Sequence, residues 1–564
     1  MTRRSLWAAH PSRGGRQLAI LSPLRRPFSL LRGVRPEFGY LLAAVSIVVV
    51  APLKLGWRAH RDGRILYMPD LFETLAASAG AAHGSQFVGA WSRLGLYHPG
   101  PLWFYWAAPF SALSADQPAS LYFAALALVA VCSAATLVVV FRAVGPTSAI
   151  LAALALMVAF HQLSFVGLAY PWNPTVTIMP VVLGLVSLAA LATTGSTAIA
   201  FVGWLSASFV AQSHLGSFPL GGAMMAATVV ALVVARRRRA TTLHKWVLLG
   251  CLAVVPWLPV IHDQVWGEQN LGTVTKYLIT GDVNERFPPE PASASLALTV
   301  PEVTTRYAAM ATLSEQDTAR WGGAEVSRGL AHKPSGISLA VMAGLLALLA
   351  LGAIGSIRRT SVRFEPFVIW LSRATLVAFA LEGVAAIRVR GEFRYYLMAG
   401  VSGVGVVAWI AVSLLAASLI KPLVQRSGLG QWRWARQAGP LLGLVAVFVL
   451  AQTQPLNSFP GFPVRIDHGD PMIDEILEQV PTGDFLLRVD RRLSLGAAQR
   501  LSLSLQHHGR HVNVTGRYAS HFADRNRQRH SGTPVLLVPS SREPPPSCDV
   551  LGTFNDHKVC IALD

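Results

Sequence analysis

The chain has 564 residues, of which 52% are hydrophobic and 14% charged, with a formal net charge of +19 and a mean hydropathy of +0.45. A soluble protein carries about 25% charged residues, so this composition, with its repeated apolar runs, excludes a soluble globular protein and indicates a multi-pass membrane protein. The charge does not point to nucleic acid, because the basic residues sit in short clusters between apolar runs, as in cytoplasmic loops that face anionic lipid headgroups.

The first 36 residues hold eight arginines and no acidic residue. They lack an apolar core followed by a small-residue cleavage site, so residues 1–37 are expected to form a basic cytoplasmic extension. The first span is expected at 38–57, running from inside to outside. External sequence follows over about 58–118. Spans are then expected at 119–141 and 148–163, with an external loop at Tyr170-Pro171-Trp172-Asn173-Pro174 and a fourth span reaching 191. The fifth, 198–211, ends in Gln212-Ser213-His214-Leu215-Gly216. The sixth, 218–234, runs into four consecutive arginines, Arg236 to Arg239, which land inside as the count requires. A seventh at 246–261 leads to a second external loop, 262–335. The remaining spans are expected at 336–357, 364–387, 397–420 and 440–452.

The expected architecture is thus an α-helical polytopic membrane protein of about 11 transmembrane helices over residues 38–452. Residues 453–564 follow as a small extracytoplasmic α/β domain, with helices over 471–480 and 495–507 and strands over 485–489, 512–514 and 535–538. Of the four cysteines, Cys132 and Cys251 lie in apolar runs and read as small hydrophobes. Cys548 and Cys560 lie in the tail, where an oxidising compartment would allow a disulfide.

The stretch from Asp70 to Phe110 is too polar at its start to span a bilayer and too apolar at its end to be a free loop. It is expected to lie along the membrane surface and dip into it, as the floor of a site that takes its substrate from lipid. If 70–77 is helical, Asp70 and Glu73 share one face. A carboxylate there can serve as a general base on a hydroxyl, while Asp70 after Pro69 is also an ordinary helix start. His98, fixed by Pro99-Gly100-Pro101, reads either as a ligand of a phosphate or hydroxyl or as a turn residue. Arg93 reads as a phosphate ligand or a snorkelling side chain. The aromatics from Trp103 to Trp106 read as an interfacial belt ahead of a sugar platform.

Arg388, Arg390 and Arg394 fall on the outside, against the trend of the other basic clusters. A bound anion would account for them, since guanidinium groups bind phosphate oxygens in pairs; pairing with Glu392 and the tail is the other account. Gln212 and His214 stand at an outer boundary and are candidates to line a polar cavity, with Asp263 as a further external carboxylate. Arg373 and Glu382 are charges inside the ninth span, about 13 Å apart along a helix, and intramembrane charges are functional candidates by default. There is no Walker-type phosphate loop, zinc signature or nucleophile elbow, which argues against an ATP-driven pump and a serine hydrolase.

The acidic first loop, the segment Ser92-Arg93-Leu94-Gly95 with His98-Pro99-Gly100-Pro101, and the stretches Pro171-Trp172-Asn173-Pro174, Gln212-Ser213-His214 and Asp263-Gln264 to Asn270-Leu271 resemble the GT-C superfamily. These are integral-membrane glycosyltransferases using polyprenyl-phosphate-linked sugars, and the likeness is strongest to an actinobacterial-type group, over about residues 38–400. The resemblance implies transfer of a sugar from a polyprenyl-phosphate donor to an envelope glycan or lipid acceptor at the outer face of the plasma membrane. It implies Asp70 as the general base in an inverting reaction, with Glu73 beside it. Many members carry two adjacent acidic residues in this loop, whereas Asp70 is followed here by Leu71 and Phe72. No cofactor is expected to be required, and no metal ligand set is assigned, although a divalent metal remains compatible. Membrane lipids are expected partners and nucleic acid is not. The alternative function is a transporter or flippase of lipid-linked glycans; a third is a scaffold that recruits partners through its tail.

Overall fold

A computed structural model describes residues 36–62, 69–92, 94–114, 117–238, 250–251, 253–280, 307–313, 336–357, 362–387, 395–426, 433–454, 471–479, 484–488, 495–515, 533–539, 548–554 and 557–562. The protein is an α-helical polytopic membrane protein with a small α/β domain at its C-terminal end. The bundle is built from α1 (Pro36–Arg61), α4 (Ala119–Val144), α5 (Pro146–Ala169), α6 (Ile178–Thr194), α7 (Thr197–Ser213) and α8 (Phe218–Arg238), followed by α11 (Gly336–Ile354), α12 (Pro366–Ile387), α13 (Ala399–Arg426) and α14 (Arg433–Gln452). Two short helices, α2 (Pro69–Ala82) and α3 (Leu102–Leu113), lie in the first loop, and two more, α9 (Leu258–Trp266) and α10 (Asn270–Thr280), lie in the second.

Among the described residues, eight helices are long and apolar enough to cross a membrane, and Thr197–Ser213 and Ala438–Gln452 are shorter apolar helices. A bilayer core offers no water to backbone amides and carbonyls, so such runs close their hydrogen bonds internally as helices. Ten of the eleven expected spans coincide with one of these helices. The seventh, 246–261, falls partly outside the described residues, and its remainder forms a 3-10 turn, Val255–Trp257, leading into α9. Helix α6 stands at the centre, buried almost continuously from Ile178 to Leu191 and packed between α4, α7, α12 and α13. Close approach is possible because of Gly403 on α13, where an added Cβ would meet the Ile178 carbonyl at 2.6 Å. Leu42, Trp57, Val230, Ile337, Val377 and Leu442 are exposed on the outer faces of their helices, as a lipid-facing surface requires.

The tail folds on a five-stranded sheet of order β4-β3-β5-β7-β6. Its strands are β3 (Phe485–Arg488), β4 (Val512–Thr515), β5 (Thr533–Pro539), β6 (Cys548–Phe554) and β7 (His557–Ala562); β1 (Ser356–Ile357) and β2 (Val362–Arg363) form a separate antiparallel pair. Strands β4 and β5 run parallel to β3, and β7 is antiparallel to both β5 and β6. The helices α15 (Pro471–Gln479) and α16 (Leu495–His507) cover the sheet. Cys560 is disulfide-bonded, whereas Cys132 and Cys251 are free.

The first loop is covered by protein. Residues 71 to 81 of α2 are all buried, because α2 packs against α3 on one side and against α16 of the tail on another. The Arg500 guanidinium lies 4.9 Å from the centre of the Phe72 ring, and Leu503 joins the same apolar cluster as Leu71, Phe72 and Leu75. The aromatic run is likewise core rather than belt at its start: Trp103 and Phe104 are each 1% exposed. Only Tyr105, Trp106 and Phe110 pack at the edge of the cluster, with Trp106 Nε1 donating to the Ala124 carbonyl at 2.8 Å.

Because Leu503 is buried in the contact between tail and bundle, Leu503→Asp places an unpaired charge there. The expected outcome is faster proteolytic release of the tail domain in limited digestion, with the membrane bundle left intact.

Candidate active site at one end of the bundle

Several loops meet at one end of the bundle, and short polar contacts hold them. The first is a hairpin over 89–98. The N–H of Ser92 donates to Leu96 O at 2.8 Å and that of His98 to Ala90 O at 2.8 Å, with Trp91 bridged to Tyr97. The turn needs Gly95, whose φ of +74° is a left-handed conformation. Helix α2 braces this hairpin: Glu73 Oε1 accepts the backbone N–H of Trp91 at 2.6 Å.

The hairpin delivers His98 to the junction of α7 and α8. There the backbone N–H of Leu215 donates to His98 Nδ1 at 3.0 Å. Burial lowers the His98 pKa from 6.5 to about 4, so the ring is neutral near pH 7. With Nδ1 accepting, the single ring proton is on Nε2. His214 follows the last residue of α7, is 2% exposed, and has its ring centre 5.1 Å from that of His98. Its pKa is lowered well below the ordinary value, first by burial and then by His98.

Helix α7 also grips the segment 253–257 ahead of α9 through three of its side chains spaced four residues apart. Trp204 Nε1 donates to Ala253 O at 2.9 Å, Trp257 Nε1 donates to Ser208 Oγ at 3.0 Å, and Gln212 Nε2 donates to Pro256 O at 2.8 Å. At the start of the second loop, the Asp263 carboxylate accepts two backbone amides, those of Glu268 at 3.0 Å and Asn270 at 2.8 Å. This fixes the start of α10 so that Asn270 Nδ2 donates to the His98 carbonyl at 3.0 Å. Asp263 therefore acts on the site through Asn270.

The opposite wall comes from α12 and α13. Glu382 is 1% exposed. A Cβ built on Gly400 would lie 2.5 Å from Glu382 Oε1 and 2.9 Å from Ser217 Oγ, and one built on Gly216 would lie 2.5 Å from Leu397 O and 2.9 Å from His214 Cε1. Gly400 thus brings Glu382 and Ser217 against one point of α13, with Ser217 three residues after His214. Tyr307 closes the far side, donating to the Phe379 carbonyl at 2.5 Å. Trp172 packs against Tyr396 with ring centres 4.4 Å apart and planes inclined at 53°, tying the loop at 170–174 to the segment after α12.

His98, Gln212, His214 and Glu382 are brought together in this way, and Asp263 supports them from behind. Glu73 is turned to the hairpin. Asp70 stands in the first turn of α2, but its side chain lies outside the described residues, as do Arg93, Arg388, Arg390 and Arg394. Arg373, the other intramembrane charge, is exposed, with its guanidinium 5.2 Å from the Trp370 ring centre and Nε donating to Ala353 O at 3.0 Å. That is the behaviour of a side chain at a lipid-facing surface. Ser217 and Asn270 were not singled out as site residues in the sequence. Ser217 has no local pattern to mark it, whereas Asn270 stands seven residues after Asp263 at the start of a helix, a spacing that fits a capping turn.

Several polar atoms here have no protein partner: Gln212 Oε1, Ser213 Oγ, His214 Nδ1, Ser217 Oγ and Glu382 Oε1, together with Asn173 Oδ1 in the neighbouring loop. A buried polar atom left unpaired costs about 1–3 kcal/mol, and Thr136 Oγ1, Ser187 Oγ, Ser372 Oγ and Ser402 Oγ in the bundle helices are buried in the same way. Among the described residues no three His, Cys, Asp or Glu side chains form a metal-binding group.

No family model and no curated protein matches the chain. Among solved structures, it is similar to ArnT from Cupriavidus metallidurans in the apo state, with 12% identity and a TM-score of 0.48 over 93% of this chain and 98% of that one. The same enzyme bound to undecaprenyl phosphate aligns at 13% identity, with the same score and coverage. The archaeal oligosaccharyltransferase AglB from Archaeoglobus fulgidus, in complex with an inhibitory peptide and a dolichol-phosphate, aligns at 12% identity and a TM-score of 0.38 over 82% of this chain and 64% of that one.

The neutral His98 ring gives a pH prediction. Its folded pKa is below the unfolded value, so acid favours the unfolded chain. The stability is fully present above pH 6.5 and declines as pH falls from 6.5 towards 4. Melting temperatures measured across this range are expected to fall less in His98→Gln, which can still accept the Leu215 amide, than in the wild type.

Proposed function

We propose that the chain is a membrane glycosyltransferase of the GT-C type. It transfers a sugar from a polyprenyl-phosphate donor to an envelope glycan or lipid acceptor at the outer face of the plasma membrane. The observation that carries this reading is the cluster of buried, partnerless polar groups at one end of an apolar bundle, built from loops far apart in the chain. A substrate with a long lipid tail and a polar head needs such a boundary, with a lipid-facing flank beside a polar floor.

In this reading Asp70 is the general base. It takes the proton from an acceptor hydroxyl, whose oxygen attacks the anomeric carbon as the bond to the polyprenyl phosphate breaks. The bonding pair leaves with the phosphate, and the sugar is inverted. Glu73 is committed to the Trp91 amide, which favours Asp70 over Glu73 for this role. The leaving phosphate needs charge stabilisation rather than a strong acid. Arg388, Arg390 and Arg394 supply it, from the segment between Ile387 at the end of α12 and Tyr395. Arg93 contributes a further cation, and His98, with its proton on Nε2, is a neutral donor. The reading needs no metal. It places the N-terminus in the cytoplasm and the tail domain outside.

Asp70→Ala is expected to reduce transfer from a radiolabelled polyprenyl-phosphate sugar at least about 100-fold, the lower range for a lost general base, with an unchanged melting temperature. Full activity in that variant removes Asp70 as the base. Lipid translocation in liposomes without any new glycosidic bond would identify a flippase instead.

A further inference from the structure

We infer that Arg373 and Trp370, on the outer face of α12, form the headgroup site of one anionic phospholipid, with an acyl chain laid along the rest of that face. The starting point is a charge in an unusual position. Arg373 stands about 10 Å along the axis of α12 from Pro366. It is exposed, and among the described residues it pairs with no carboxylate. A guanidinium on a lipid-facing helix surface is costly unless it reaches the interface or finds an anion, so intramembrane charges mark function by default.

The side chain is posed for both. In a helix the Cα–Cβ bond tilts towards the N-terminus, and the Arg373 guanidinium accordingly lies over Trp370, three residues earlier, 5.2 Å from its ring centre. Its Nε donates to the carbonyl of Ala353 at 3.0 Å, in the last turn of α11. That bond brings the guanidinium level with the end of α11, where Gly355, with a φ of +84°, turns the chain into the β1–β2 hairpin. A side chain rooted within the span is thus held at the bilayer surface, beside a half-exposed tryptophan suited to the same depth. Among the described residues Nε is the one guanidinium nitrogen with a protein partner. The other N–H donors remain as a planar fork that fits two oxygens of a phosphate.

The same face continues in apolar side chains. Trp370, Arg373, Val377, Ala380, Val384 and Ile387 follow one another at helical spacing and are all exposed, Val377 at 58% and Val384 at 56%. Such a stripe suits an acyl chain, so the head and tail of one lipid find their partners on a single helix face. Charge decides the headgroup. A choline or ethanolamine headgroup carries its own cation and offsets its phosphate, whereas a glycerol headgroup leaves the phosphate charge to Arg373. The place is separate from the candidate active site: the Arg388–Arg394 segment begins after Ile387, at the other end of α12, about 21 Å further along the axis. The lipid bound here is therefore a partner of the α11–α12 end of the bundle and not a substrate.

The test uses the full chain in detergent micelles and native mass spectrometry, titrating phosphatidylglycerol and phosphatidylcholine of matched acyl chains. Arg373→Gln is expected to weaken the tightest phosphatidylglycerol association about fivefold, the contribution of one basic residue at an anionic surface, and to leave phosphatidylcholine unchanged. Arg373→Lys keeps the charge but not the fork or the contact with Trp370, and is expected to weaken it about twofold. Arg142→Gln removes an exposed arginine from the last turn of α4; as the control for general charge, it is expected to have no effect. The inference is overturned if Arg373→Gln binds phosphatidylglycerol as the wild type does or, where that variant does not fold, if Arg373→Lys does. It is also overturned if Arg142→Gln weakens binding as much, or if phosphatidylcholine is weakened by the same factor. Farnesyl phosphate that binds the wild type tighter than phosphatidylglycerol and displaces it would make this an isoprenoid phosphate site, and overturns the assignment too.

Discussion

The contact on which this end of the molecule depends is the hydrogen bond from the Leu215 amide to His98 Nδ1. Where α7 gives way to the next helix, amides lose their intrahelical partners, and a junction buried in protein cannot leave them to water. Here the partner comes from a residue 117 positions earlier in the chain. One bond thereby seats the first-loop hairpin on the bundle and sets the tautomer of a neutral ring. The His98 carbonyl then receives Asn270, so the second loop is registered against the same residue. Three loops share one anchor, and a displacement of any of them is felt by the other two.

The arrangement also separates two kinds of polar residue. Glu73, Asp263 and Asn270 have their hydrogen-bonding groups engaged with backbone amides or carbonyls, and they hold loops in place. Gln212, His214, Ser217 and Glu382 each present an atom that nothing in the protein pairs. The first group offsets its burial locally. The second carries a standing cost of about 1–3 kcal/mol per unpaired atom. Residue type does not distinguish the groups, since each contains carboxyl and carboxamide side chains. What distinguishes them is whether a buried side-chain atom is left without a protein partner.

Much of the bundle was legible in the sequence because a bilayer leaves little choice. An apolar run of about 20 residues closes as a helix whatever its neighbours do, and α1, α4, α6, α11, α12 and α13 lie where their runs indicate. The parts that were not legible depend on contacts between distant segments. Nothing near Leu503 shows that it packs with Leu71 and Phe72 across more than 400 residues, and so the burial of α2 beneath the tail is not legible in its own sequence. Trp103 and Phe104 show the same limit: aromatics beside a membrane boundary suit either a belt or a core, and only the packing of α3 against α2 and α4 decides for core. At the site, the prolines and glycine after His98 signalled a fixed backbone, and Glu382 stood out as a carboxyl inside a span. That Glu382 would meet Ser217 through the space left at Gly400 is a property of three helices together.

The position of α2 gives the tail a mechanical role in this design. The helix that carries Asp70 and Glu73 is held from one side by α3 and from another by α16, with Arg500 over Phe72 and Leu503 in the shared apolar cluster. Glu73 in turn fixes the hairpin that ends in His98. A continuous chain of contacts therefore runs from the tail sheet through α16 to α2, from α2 to the hairpin, and from the hairpin to the α7–α8 junction. A short helix in a loop has little intrinsic stability, so its orientation is set by what packs on it. With α2 clamped between membrane bundle and tail, the geometry of the first loop is a joint property of both domains, and the tail is part of the structure that positions the site.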